Sequence, residues 1–149
     1  MKLLGLDVGD RRVGVACGDT NVCIATPLDV VVRANFDTDV RALAVFVRKY
    51  EVEKLIIGLP RNMDGTEGDQ AKSVADYAAK LANALNLPVQ LWDERLSTVE
   101  ATRRRNETGA CGKKSRRSLD AVAAAVILQD YMDAQSHQNS ILADSAENI

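Results

Sequence analysis

The sequence predicts an α/β fold: a five-stranded mixed sheet, three strands antiparallel and then two parallel, with helices on both faces. Three observations predict it. From Leu3 to Val32 apolar and small side chains alternate between two turns, the pattern of an antiparallel meander. From Val40 onward the period changes, and helix-spaced apolar residues alternate with short apolar runs. One of those runs, Lys54-Leu55-Ile56-Ile57-Gly58, is too apolar for a strand with one wet face, as expected inside a parallel sheet.

The elements follow in order. Leu3 to Val8 reads as a short buried strand, and Gly9-Asp10-Arg11 turns the chain. Val13, Val15 and Cys17 alternate with small residues as a paired strand does, and Asp19-Thr20-Asn21 turns again. Cys23 to Val32 is β-branched and apolar, but Pro27 has no N–H to give a ladder and assigns part of it to an edge. Val40, Leu43, Ala44 and Val47 share one helical face. After the 54–58 strand comes a loop over 59–68, then a second amphipathic helix through Ala71, Val74, Ala75, Ala78, Leu81, Ala82 and Leu85. Asn86 and Pro88 stop it, and Val89 to Trp92 is the fifth strand. Ser97-Thr98-Val99-Glu100 has capping-box spacing and predicts a third helix. Leu119 to Leu128 is apolar nearly all round and predicts a buried final helix. The first strand is expected at the centre of the sheet.

Length and composition bound the rest. The chain has 149 residues, 46% hydrophobic and 27% charged, which fits one domain able to bury its own core. That domain is read as residues 1–133, with 134–149 a polar, acidic tail expected to be disordered. Three cysteines, Cys17, Cys23 and Cys111, make no C-x-x-C pair, so neither a disulfide framework nor a zinc ribbon is expected. Asp7 cuts the first apolar run too short for a signal peptide, and no run reaches membrane-spanning length. A cytoplasmic location is the expectation.

Charge is more telling by position than by sum. The net charge of -2 argues against a general polyanion binder. Yet seven of the 19 bases, Arg103, Arg104, Arg105, Lys113, Lys114, Arg116 and Arg117, lie within residues 103–117. One basic segment on a near-neutral body suggests a local anion site, with a solvated loop as the plainer alternative.

Three acids stand out. Asp7 ends the central strand, where open α/β sheets bind ligands, and Gly9 lets the backbone turn close behind it. Asp93-Glu94-Arg95 ends the fifth strand; alternation puts Asp93 and Glu94 on opposite faces, so only one can point into a given site. Asp120 is the one ionisable residue between 118 and 129, in a segment that otherwise reads as a buried helix. An unpaired buried carboxylate costs several kcal/mol, so it needs a cation. That cation is an arginine, Arg116 or Arg117 being nearest in sequence, or a metal shared with the other acids. A place in an exposed first turn, favouring the helix dipole, is a third reading. Clustered carboxylates repel unless cations lie between them, and oxygen-only ligands select Mg²⁺ or Mn²⁺. Two such ions about 4 Å apart can hold the attacking and leaving oxygens of a phosphodiester. His137, in the polar tail, is the one histidine, so histidine acid–base chemistry is not expected.

Four segments carry a resemblance. Leu4-Gly5-Leu6-Asp7-Val8-Gly9 with Arg12-Val13-Gly14-Val15-Ala16 resembles the opening of the YqgF-like family, pre-16S rRNA nucleases or Holliday junction resolvases of the RNase H-like superfamily. Ile57 through Gly68, Leu91 through Thr98, and Asp120 through Gln129 resemble its later motifs, so the likeness runs from about Leu3 to Met132. It implies an RNase H-like fold. It implies that Asp7, Glu94 rather than Asp93, and Asp120 form a catalytic, metal-binding triad, and that the chain acts in the bacterial cytoplasm on the 5′ end of 16S rRNA.

The expected activity is therefore hydrolysis of phosphodiester bonds with Mg²⁺ or Mn²⁺, as two ions. The expected partner is RNA, a pre-16S rRNA or pre-ribosome, with branched DNA the alternative substrate and no membrane partner. Substrate contacts are expected from Arg61, Arg95, Arg103, Arg104, Arg105, Lys113, Lys114, Arg116 and Arg117; for Arg61 an ordinary surface turn competes. A non-catalytic nucleic-acid-binding module gains nothing from clustered acids beside phosphates. An actin-like kinase needs two domains, more than this length supplies. The metal reading stands on Asp7, Glu94 and Asp120 meeting in space with divalent ions between them; side chains placed well apart, or Asp120 tied to an arginine instead, would overturn it.

Overall fold

A computed structural model describes residues 1–60, 68–94 and 114–147, with backbone alone for 114–118 and 137–147. Five strands are described: β1 (Lys2–Val8), β2 (Arg12–Asp19), β3 (Ile24–Val32), β4 (Lys54–Leu59) and β5 (Val89–Asp93). Three helices are described: α1 (Phe36–Lys49), α2 (Asp69–Leu85) and α3 (Lys114–Glu147). The sheet order is β3-β2-β1-β4-β5, with β1 central as expected. β1–β2 and β2–β3 pair antiparallel, and β1–β4 and β4–β5 pair parallel. Pro27 sits on the edge strand next to a register shift, where β2 passes from Val15↔Asp29 to Ala16↔Pro27. The irregularity accommodates a residue that cannot donate to the ladder.

The two faces of the sheet are built differently. Leu4, Leu6, Val8, Val13, Val15, Leu55, Ile57 and Leu59 pack toward α1 and α2, against Leu43, Val74, Tyr77 and Leu81. The alternate residues pack toward α3, where Leu3, Ala16 and Ile56 meet Ala123, Ala124, Ile127, Leu128 and Met132. On that face Gly5, Gly14, Gly18 and Gly58 come directly against α3 or against side chains it carries. A sheet face of glycine and alanine lets the helix lie close.

Local signals explain the helix ends. The Asn35 side chain accepts from the Thr38 N–H at 2.9 Å and caps α1, and Asp37 and Asp39 follow in the first turn. Asn86 closes α2 in the left-handed region (φ 54°, ψ 46°), a conformation Asn tolerates. Asp39, 3% exposed, accepts from the Ala34 N–H and the Tyr77 hydroxyl and lies 3.9 Å from Arg33, tying α1 to α2.

The final helix does not stop near Met132: its backbone continues to Glu147, so residues 134–147 are helical where a disordered tail was expected. The reason is compositional, since no glycine or proline interrupts 114–147 and alanines recur through it. The helix predicted from Ser97 lies outside the described residues, as does most of the 59–68 loop. Among the described residues no helix is long and apolar enough to cross a membrane.

Candidate active site

The register places the acids. Asp7 faces Gly14 across the β1–β2 ladder, and alternation puts both on the α3 side with Leu3 and Gly5. β1 and β4 run parallel with Leu6 beside Ile57, and Gly58 is beside Trp92 of β5. Trp92 packs toward α3, with its ring 5.7 Å from Tyr131 in an edge-on contact. Two residues before it, Gln90 accepts hydrogen bonds from Lys54 Nζ and from the Tyr131 hydroxyl, which fixes the same face. Glu94, two residues after Trp92, therefore comes to the α3 side.

Two missing Cβ atoms bring the carboxylates closer. Strands β1 and β5 lie two inter-strand spacings apart, about 10 Å. Glu94 closes part of that gap by folding over Gly58, where an added Cβ would come within 2.8 Å of Glu94 Oε1. Gly14 does the same for the helix: a Cβ there would be 1.9 Å from the carbonyl oxygen of Asp120. The backbone of α3 thus rests on β2 at the residue paired with Asp7.

Asp7, Glu94 and Asp120 line one cavity of about 220 Å³ with Val8, Gly9, Pro60 and Gln70, at the carboxyl ends of β1, β4 and β5. Asp7 is 7% exposed. Asp93 is not among the lining residues, in keeping with its place on the opposite face. A larger recess of about 500 Å³ lies between β3, α1 and α2, but its charges balance, Arg33, Lys72 and Lys80 against Asp39, Asp69 and Asp76.

Among the described residues Asp120 is paired with an arginine, Arg12; the side chains of Arg116 and Arg117 lie outside the described residues. Arg12 Nε donates to Asp120 Oδ2 at 3.0 Å, across 108 residues of sequence. Among the described residues, no three Asp, Glu, His or Cys side chains are grouped closely enough to hold a metal ion as they stand. The three expected acids therefore share a cavity without converging on one point. The Arg12 contact counts against a preformed triad, though its weight is modest. The two side chains are 39% and 27% exposed, and pairs this wet contribute about 0–1 kcal/mol.

Of the expected substrate contacts, Arg61, Arg95, Arg103, Arg104, Arg105 and Lys113 lie outside the described residues. Lys114, Arg116 and Arg117 belong to the first turn of α3, with backbone alone described. Sequence reasoning missed Arg12, Gly14, Gly58 and Gln70. Alternation from Asp7 through the hairpin would have put Arg12 and Gly14 on its face, but nothing local says that a helix lands there.

The family model for RuvX, Holliday junction resolvase, matches residues 1–134. The chain belongs to this family. It is 43% identical over 136 residues to a Halothermothrix orenii protein named "Putative pre-16S rRNA nuclease", covering 91% of this chain and 97% of that one. A Syntrophus aciditrophicus protein of the same name is 43% identical over 147 residues, 99% and 97% of the two chains. Among solved structures the yeast mitochondrial Holliday junction resolvase Ydc2 superposes with a TM-score of 0.58 at 12% identity, covering 99% of this chain and 84% of that one. Thermus thermophilus RuvC superposes with a TM-score of 0.56 at 14% identity, over 92% and 97%. These two likenesses establish the fold, the RNase H-like sheet and helix arrangement of the resolvases.

Proposed function

We propose that this chain is a divalent-metal-dependent nuclease that hydrolyses phosphodiester bonds in the 5′-end maturation of pre-16S rRNA, acting in the cytoplasm on RNA within a pre-ribosome. The observation that carries the reading is the cavity itself. Three carboxylates from distant parts of the chain line one small recess, a set of oxygen donors that a divalent cation could bridge. The donor set is all oxygen, the kind that hard ions such as Mg²⁺ and Mn²⁺ take.

Asp7, Glu94 and Asp120 would hold the metal, and each element contributes differently. Asp7 is set by the central strand and is the fixed ligand. Glu94 lies over Gly58 at the end of the edge strand. Asp120 comes from the helix. Bound there, a pair of ions would supply an activated water and would stabilise the departing 3′-oxygen. Pro60 and the Val8-Gly9 turn wall the recess. Arg61 and Arg95, with the bases of 103–117, would track the phosphate backbone, which positions a substrate without reading its sequence. The RNA assignment rests on the names of the relatives over nearly the full chain.

The test is cleavage of a structured RNA carrying the pre-16S 5′ leader, with a DNA four-way junction in parallel. Cleavage of the RNA should need Mg²⁺ or Mn²⁺ and be lost in Asp7→Asn with the fold intact by circular dichroism. Unchanged cleavage in that variant rejects the site. Cleavage of the junction but not the RNA moves the substrate to branched DNA, which the family description favours.

A further inference from the structure

Arg12 lies at the turn end of the β1–β2 hairpin. Its carbonyl accepts the Gly9 N–H at 2.8 Å, closing the turn that follows Asp7. Alternation along β2 puts its side chain on the face of Gly14, the residue paired with Asp7 and touched by the Asp120 backbone. The guanidinium reaches Asp120 through Nε alone, on the single oxygen Oδ2. This is not the two-pronged contact that makes arginine–carboxylate pairs strong. The pair is also partly open to solvent. A contact that is single, wet and on one oxygen is easily exchanged.

We propose that Arg12 is a positioning residue for the acidic centre: it holds Asp120 in the metal-free protein and yields that carboxylate when a divalent cation binds. The inference rests on the metal reading above. It accounts for two facts together, that the three acids line one cavity and that they do not yet converge. Without a metal, Arg12 offsets the charge of Asp120 at the edge of the cavity. With a metal, the same role passes to an ion of higher charge. Arg12 and the cation are then competitors for Asp120, so the sign of the effect of removing Arg12 is fixed.

The test is Mn²⁺ binding to the full chain by titration calorimetry, with thermal unfolding in EDTA and in Mn²⁺. Arg12→Gln should bind Mn²⁺ more tightly than wild type, by up to about fivefold, the factor a partly exposed ion pair represents. It should melt below wild type in EDTA, and the gap should narrow in Mn²⁺. Arg12→Lys keeps a charge but loses the side-on Nε contact, and should bind between the two; it decides the matter if the glutamine variant does not fold. Affinity unchanged or weaker in the folded variants overturns the competition and leaves the metal site standing. Absence of Mn²⁺ binding by wild type overturns the metal reading and this inference with it.

Discussion

Adding one methyl group at Gly14 tests how the site is assembled. A Cβ at this position would lie 1.9 Å from the Asp120 carbonyl oxygen and 2.4 Å from its carbonyl carbon, where real Cβ atoms essentially never approach within 3.0 Å. The obstacle is helix backbone, so no rotamer change relieves it. Strand and helix must separate by about 1 Å, and overpacking of this kind costs about 1–3 kcal/mol. That is a melting point lower by roughly 2–12 °C in a domain of this size. The functional cost should be larger in proportion, because Asp120 moves with the helix, and about 1 Å of misplacement can cost about 100-fold in rate. Gly14→Ala should therefore be folded and slightly less stable, yet nearly inactive in metal-dependent RNA cleavage. Gly18→Ala is the control. There the added Cβ meets only the ends of Leu128 and Met132 at 3.0 Å, and both are flexible. It should lose less stability and keep activity. Gly14→Ala that matches wild type in both assays, or Gly18→Ala that loses as much, would refute the argument that α3 is seated by contact at Gly14.

Gly58→Ala would bring a Cβ within 2.6 Å of Ile127 Cδ1 and 2.8 Å of Glu94 Oε1; both are side chains that can move, so a loss of about 1–2 kcal/mol in urea unfolding should accompany weaker Mn²⁺ binding by calorimetry as Glu94 is displaced. Asp39→Ala should cost about 2–3 kcal/mol in the same unfolding measurement, because it strips the Ala34 N–H and the Tyr77 hydroxyl of their buried acceptor. Tyr77 has its hydroxyl held well above the usual tyrosine value by burial, by the charge of Asp39 and by their hydrogen bond. A raised folded-state value stabilises fully below the unfolded value near 10 and is lost as pH rises beyond it. Wild type should thus be more stable than Tyr77→Phe at pH 8, with the difference shrinking above pH 10 in paired urea titrations; a constant difference would remove Tyr77 as the titrating group.

What the sequence made legible follows the range of each interaction. Strand alternation and helical period are local, and they recover β1 to β5, the central place of β1 and the buried faces of α1 and α2. Asp7 and Asp120 were legible because a charge in an apolar run is a local anomaly. The choice between Asp93 and Glu94 was not, because alternation says only that they diverge; which face meets α3 depends on Trp92 packing against Tyr131, on a helix far along the chain. Arg12 was invisible for the same reason, since its partner is 108 residues on and two nearer arginines competed for the assignment. The end of α3 is not marked in the sequence, because polar composition argues for a tail while a stretch free of glycine and proline is compatible with a continuing helix.

The two faces of the sheet show why an acidic cavity forms at this edge. Toward α1 and α2 the strands carry Leu, Val and Ile, and a helix resting on such side chains stands well off the sheet. Toward α3 they carry Gly5, Gly14, Ala16, Gly18 and Gly58, so the helix comes down almost onto backbone. Close approach has an electrostatic consequence: it brings Asp120 to the level where Asp7 and Glu94 emerge from the ends of their strands. Larger residues at these positions would lift the helix and separate the carboxylates. The small residues on this face are thus best understood as setting a distance, and the Arg12 contact as balancing the charge which that distance creates.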